Sequence, residues 1–112
     1  MLTIEQLEEF GVNTKEGLTR CMNNQTFYFK MLKMGLANDS FEKLESAVTA
    51  GNLEDAFESA HALKGVLGNL AITPLYTPIA EITEMLRARR AADYVEIYKP
   101  VLELRNKLLA LV

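Results

Sequence analysis

His61 is the single histidine of the chain and stands in Ser59-Ala-His-Ala-Leu-Lys-Gly-Val-Leu-Gly-Asn-Leu70, with Lys64 and Gly65 one helical turn on. Imidazole is largely neutral and nucleophilic near neutral pH, so a ring nitrogen can take a phosphoryl group from an acyl phosphate and give it up again. The Lys64 ammonium can offset the negative charge gained. On a helix, turning about 100° per residue, Lys64, Gly65 and Gly68 fall within roughly 60° of His61. Ala56, Ala60, Leu63, Val66, Leu67 and Leu70 gather on the other side, with Leu63 about 160° from the histidine, so the imidazole is expected to face solvent. Each glycine inside a helix costs about 1 kcal/mol relative to alanine, which calls for either tight packing or close approach of something else. With the core on the opposite side, close approach is the better reading.

Positioning such a face requires a helical scaffold, and nearly every segment has helical period, with no strand-like alternation, internal repeat or Gly/Ser-rich linker. A first short helix is expected to open at Thr3, with Gln6 as its capping-box partner, and to end at Gly11 in the left-handed position. Thr14 can cap a second through about Met22 that buries Leu18 and Cys21. From Gln25 to Ala37, Phe27, Met31 and Met34 recur at helical spacing, widened by Tyr28 and Leu32. Asp39 and Glu42 have the spacing of a reciprocal cap for a helix burying Phe41, Leu44 and Val48, which Gly51 stops. Asn52 then caps the histidine helix, Leu53 to Leu70, with Glu54 and Asp55 at its positive end.

The next helix is expected from Thr73-Pro74 to about Arg90, burying Leu75, Ile79, Ile82 and Leu86. Pro78 either kinks its second turn or is itself the first position with Thr77 as cap. The last starts near Asp93 and buries Tyr94, Ile97, Val101, Leu104, Leu108 and Leu111, with Pro100 making it two pieces or one kinked rod. The expected fold is all-α: an antiparallel up-down four-helix bundle with short N-terminal helices, residues 1–112 forming a single domain. The methionines, Phe27 and Phe29 are assigned to the core. Arg87, Arg89 and Arg90 are read as cations favoured at a helix C-terminus, and Glu81 and Glu84 as a solvated face.

Composition narrows the chemistry. The 112 residues are 49% hydrophobic and carry a net charge of −3, without a basic stripe able to track a phosphate backbone, so protein rather than nucleic acid is the expected partner. One cysteine, Cys21, forms no intrachain disulfide, and one histidine with one cysteine makes no ordinary zinc site, so no metal and no cofactor are expected. No apolar run of about eighteen residues and no leader-like start are present, which leads to the expectation of a cytoplasmic protein away from membranes.

Ala-His-Ala-Leu-Lys-Gly-Val-Leu-Gly-Asn-Leu resembles the phosphorylation motif of histidine-containing phosphotransfer (HPt) domains, and the hairpin from about Glu42 to Arg87 resembles the same family. The resemblance implies that His61 is the phosphoacceptor, Lys64 the phosphoryl-stabilising cation, and Gly65 the residue whose missing side chain leaves the imidazole open. Gly68 and Asn69 match positions flanking the docking face. It also implies partners: receiver domains of response regulators and a hybrid sensor histidine kinase. Two positions depart from the pattern. Ala71 stands where many relatives have glycine, and Thr83 falls near the place of a glutamine or glutamate that hydrogen-bonds the imidazole, a task that Thr83 or Glu84 can serve.

The function expected is that of a monomeric histidine phosphotransfer protein in a multistep two-component phosphorelay, moving a phosphoryl group between receiver aspartates. It is a phosphocarrier rather than an enzyme, for no Walker or Gly-x-Gly-x-x-Gly loop is present to bind a nucleotide. The alternative is a helical adaptor that binds receiver or kinase domains through the same face without phosphorylation. A metal-dependent hydrolase is disfavoured by the lone histidine.

Overall fold

The computed structural model describes residues 2–112, which form seven helices and no strand among the described residues. They are α1 (Ile4–Glu9), α2 (Thr14–Arg20), α3 (Gln25–Leu36), α4 (Ser40–Ala50), α5 (Leu53–Asn69), α6 (Thr73–Arg87) and α7 (Tyr94–Leu111). Helices α4 to α7 pack as a closed ring, α4 on α5, α5 on α6, α6 on α7 and α7 back on α4. This is the expected up-down four-helix bundle, with α1 and α2 at the end where α5 turns into α6 and α3 against α7. Its core is one cluster in which Phe41, Leu44, Leu63, Leu67, Leu75 and Ile79 are wholly buried. Met1 lies outside the described residues, so its expected place in the core has no structural counterpart here.

Local chemistry sets most boundaries as expected. The Thr3–Gln6 capping box forms in both directions, and Asn52 and Asp93 accept from the backbone of Asp55 and Glu96. Gly11 and Gly51 terminate α1 and α4 with φ of +89° and +71°. The same left-handed turn closes α5, but Ala71 adopts it, at φ +57°. Its N–H donates to the Gly68 carbonyl at 3.2 Å, and the Ile72 N–H donates to Leu67 at 3.1 Å. Alanine at this place thus keeps the turn that glycine makes without strain.

Several expectations are corrected. Asn13, not Thr14, caps α2, and Leu18 is only half-buried, while Cys21 is buried as expected. In α3 the buried stripe is Tyr28, Leu32, Gly35 and Leu36, one position round from the Phe27–Met31–Met34 stripe. Phe27, Met34 and Met22 are exposed, so they leave the core, whereas Phe29, Met31 and Met85 pack against its edge. Asp39 makes no side-chain cap. Glu42 reaches instead to Arg105 in α7, and the Asn38 carboxamide accepts from the Ser40 N–H at 2.8 Å.

Helix α6 starts at Thr73, with Ile72 as its cap residue, so Pro78 lies inside it, and it ends at Arg87 rather than Arg90 because the chain turns left-handed at Arg89. Helix α7 runs unbroken through Pro100, Tyr98 and Arg105 rather than Ile97 and Leu104 complete its buried stripe, and Leu111 in its last turn is only half-buried.

Two buried polar groups tie α7 to its neighbours. The Tyr98 hydroxyl donates to the Phe41 carbonyl at 2.9 Å. The Arg105 guanidinium lies 4.7 Å from the centre of the Phe41 ring and donates to the Leu36 carbonyl at 2.6 Å and to Glu42 at 3.0 Å. A buried guanidinium is tolerated only when its N–H groups find acceptors, and these bonds supply them.

Burial pushes the Tyr28 hydroxyl up from 10.0 to about 12, with the Cys21 charge adding to the rise, and burial raises Tyr98 as well. Ionisation is therefore easier in the unfolded chain than in the folded one. The stability these neutral phenols contribute is complete below the unfolded value and is lost as pH rises through the folded one. Denaturant melts at rising pH are expected to show stability falling from about pH 10 upward, steepest toward about pH 12. A profile that stays flat there refutes the burial argument.

Candidate functional site

Helix α5 buries Ala56, Ala60, Leu63 and Leu67 completely, which fixes its rotation and turns His61 outward. His61 is exposed and Lys64 is half-buried. Both line one shallow, open groove together with Gly65, Gly68 and Asn69, so all five candidate residues share a surface. The other walls come from α2 (Glu16, Arg20) and from the start of α6 (Thr73, Tyr76). Arg20 is held by Glu16 at 2.7 Å, whereas Lys64 makes no salt bridge among the described residues. The groove therefore presents one paired and one unengaged cation around the imidazole.

The two glycines of the motif differ in cause. A methyl group built on Gly65 meets nothing within 4 Å, so no contact inside the chain requires glycine there. At Gly68 the same methyl comes within 3.1 Å of the Tyr76 ring. Gly68 thus serves the seating of α6 on α5, a packing role where the sequence pointed to docking alone, although it still lines the groove.

Neither expected partner reaches the imidazole. Thr83 is fully buried and its hydroxyl donates to the Ile79 carbonyl at 2.7 Å, while Glu84 accepts from Arg87 Nε at 3.2 Å. No hydrogen bond to the His61 ring is formed among the described residues. Its neighbour is Phe57, one turn earlier on α5, stacked at a centroid distance of 5.8 Å and an interplanar angle of 18°. The Arg87 guanidinium lies over the Phe57 ring, 5.0 Å from its centre. Sequence reasoning missed Phe57, Arg20 and Tyr76. An aromatic four residues before the histidine was the available signal for the first. The other two depend on tertiary packing.

An exposed imidazole, a nearby ammonium and an open glycine on a helix held rigid from behind form a surface on which a second protein can bring phosphate to the ring. A family model of the Hpt domain matches residues 35–112, well over half of the chain. The chain belongs to the Hpt domain family. Hpt domains serve histidine phosphotransfer in phosphorelays, as phosphocarriers that meet receiver and kinase domains. No curated protein and no solved structure matches the chain. The family match covers the four-helix bundle and the last two residues of α3. Helices α1 and α2 lie before it, so the Glu16–Arg20 wall of the groove is this chain's addition to the matched segment. Among the described residues, no group of three or more acidic, histidine or cysteine side chains could hold a metal, and no helix is long and apolar enough to cross a membrane.

The glycine contrast is testable through stability. Gly65→Ala is expected to stabilise the Hpt domain by up to about 1 kcal/mol, since helix propensity improves and nothing objects. Gly17→Ala should destabilise it by about 1–3 kcal/mol, because the new methyl would lie 2.5 Å from the buried Tyr28 ring. Thermal or denaturant melts of the two variants check the signs, and a loss at Gly65 would mean that its space is needed inside the fold.

Proposed function

We propose that this Hpt domain carries a phosphoryl group on His61 between receiver-domain aspartates of a multistep two-component relay, with a hybrid sensor kinase upstream. The observation that carries the reading is the empty space at Gly65 beside an exposed, core-backed histidine. A helix that merely tolerated glycine would gain from alanine there. A docking face has a reason to refuse it.

In the transfer, a lone pair of the neutral imidazole attacks the phosphorus of an aspartyl phosphate, and the proton stays on the other ring nitrogen. The new N–P bond forms as the P–O bond to the aspartate breaks, and the carboxylate leaves with the electron pair. Most of the rate in such a step comes from alignment and from charge stabilisation. The Hpt domain supplies an oriented nucleophile and the Lys64 cation, while the receiver brings the aspartate and the magnesium ion. Return of the phosphoryl group to a second receiver is the same step reversed. Nucleotide chemistry is left to the kinase. Gly65, Gly68 and Asn69 form the docking face, and the chain acts as a monomer in the cytoplasm, a reading with which the free thiol of Cys21 agrees.

Incubation with a phosphorylated receiver should leave acid-labile, alkali-stable phosphate on the protein. His61→Gln should abolish it with melting changed by no more than about 0.5 kcal/mol, as for other surface replacements. Lys64→Ala should slow transfer by about tenfold or more without ending it. Phosphate retained on the His61 variant rejects the assignment, and receiver binding with no phosphate on the parent favours an unphosphorylated adaptor.

Gly65→Gln adds bulk one turn from the imidazole. Stability is expected to hold or rise while receiver-dependent transfer falls sharply, the reverse of what a structural glycine gives. Both quantities should be measured on one preparation. A variant that unfolds, or one that transfers at the parental rate, removes the docking-face argument.

A further inference from the structure

We propose that Phe57 is the positioning residue of the phosphoacceptor, holding the His61 imidazole by its face where no hydrogen bond holds it by an edge. The proposal rests on His61 being the phosphorylated residue. An exposed histidine side chain is otherwise free to exchange among its rotamers, and a nucleophile that points the wrong way for most of the time loses rate in proportion.

The groups that could fix the ring by a nitrogen are engaged elsewhere: Thr83 with the Ile79 carbonyl and Glu84 with Arg87. The imidazole is instead stacked with the Phe57 ring, near-parallel at 18° and 5.8 Å between centroids, inside the range in which offset aromatic pairs attract. Phe57 is itself restrained. It is half-buried and packed against the core, and the Arg87 guanidinium, held by Glu84 at 3.2 Å, sits over its ring at 5.0 Å. The chain of contacts Glu84–Arg87–Phe57–His61 thus runs from α6 to the imidazole on α5. Stacking leaves both ring nitrogens unbonded, one as nucleophile and the other to keep its proton. It also couples the ring to α6, so both helices of the hairpin orient the site.

The test uses the full chain, with phosphoramidate as a small donor that needs no docking and a phosphorylated receiver as the large one. With phosphoramidate, the ring N–P bond forms as the donor P–N bond breaks and ammonia leaves. In the unphosphorylated protein, NMR of the His61 ring protons reports the stack directly through the Phe57 ring current. Phe57→Leu should remove that ring-current shift and slow phosphorylation by both donors by a similar factor, about tenfold. Phe57→Tyr should restore both. Arg87→Gln removes nothing from the core and keeps the proposal testable if the leucine variant fails to fold. It should slow the small donor by about two- to fivefold, the worth of an exposed cation–ring contact.

A folded Phe57→Leu protein that reacts at the parental rate with phosphoramidate overturns the positioning role and leaves His61 as phosphoacceptor. A fall confined to the receiver also overturns it, since that marks Phe57 as a docking contact. Parental protein that takes no phosphate from either donor overturns the phosphoacceptor reading itself, whatever the ring-current shift.

Discussion

The rotation of α5 about its own axis is the constraint from which the site follows. Ala56, Ala60, Leu63 and Leu67 are wholly buried, and a shift of one residue in helical phase would drive a charged or polar side chain into the space they fill. Two of the four are alanines, which let neighbouring helices come close and leave little room for rotation in place. Leu63 lies about 160° round the helix from His61 and is wholly buried, so seating Leu63 in the core turns His61 outward. The direction of the imidazole is thus set by the buried side of the same helix.

Axial placement has a separate cause, the fastening of the α5–α6 turn. The Ala71 carbonyl accepts the Asn13 N–H at 3.0 Å, the Tyr28 hydroxyl lies 3.4 Å from the Leu70 carbonyl, and Leu70 fills the space left by Gly35. All three contacts come from α3 or from the segment before it. The N-terminal helices therefore clasp the turn that ends the histidine helix, and in doing so bring Glu16 and Arg20 to the groove. At the start of α4, Arg105 does the corresponding work by joining the end of α3, the first turn of α4 and α7. A buried cation of this kind contributes less to net stability than to a single arrangement of the elements it links.

Periodicity made α4 to α7 legible in the sequence, because a bundle helix with one buried face writes that face at every third or fourth residue. In α3 it names the buried Tyr28 and Leu32 but centres the stripe one position early, on Phe27, Met31 and Met34. Phe27, Met31 and Met34 are as apolar as Tyr28, Leu32 and Leu36, and the choice between two adjacent stripes was made by the small residues Gly17 and Gly35, which receive the Tyr28 ring and the Leu70 side chain. No count of apolar residues carries that information. The Asp39–Glu42 cap failed for a related reason: Arg105, sixty-three residues away from Glu42, competes for the same carboxylate. Local spacing gives local bonds first claim, and a buried guanidinium overrides it.

In the candidate site, the residues read from the motif share a surface because they sit on one helix, where spacing and position are the same thing. What spacing could not supply was the reason for each. Gly65 and Gly68 look alike in the sequence, yet one faces open space and the other the Tyr76 ring. On the proposed reading, a carrier takes its phosphoryl group from one protein and surrenders it to another, so the imidazole has to be bare to both. The Phe57 stack proposed to position the ring, a contact worth about 0.5–1.5 kcal/mol, leaves both ring nitrogens free. The site is accordingly built from a rigid back, an open front and one weak lateral contact, and each of the three arises from a different level of the sequence.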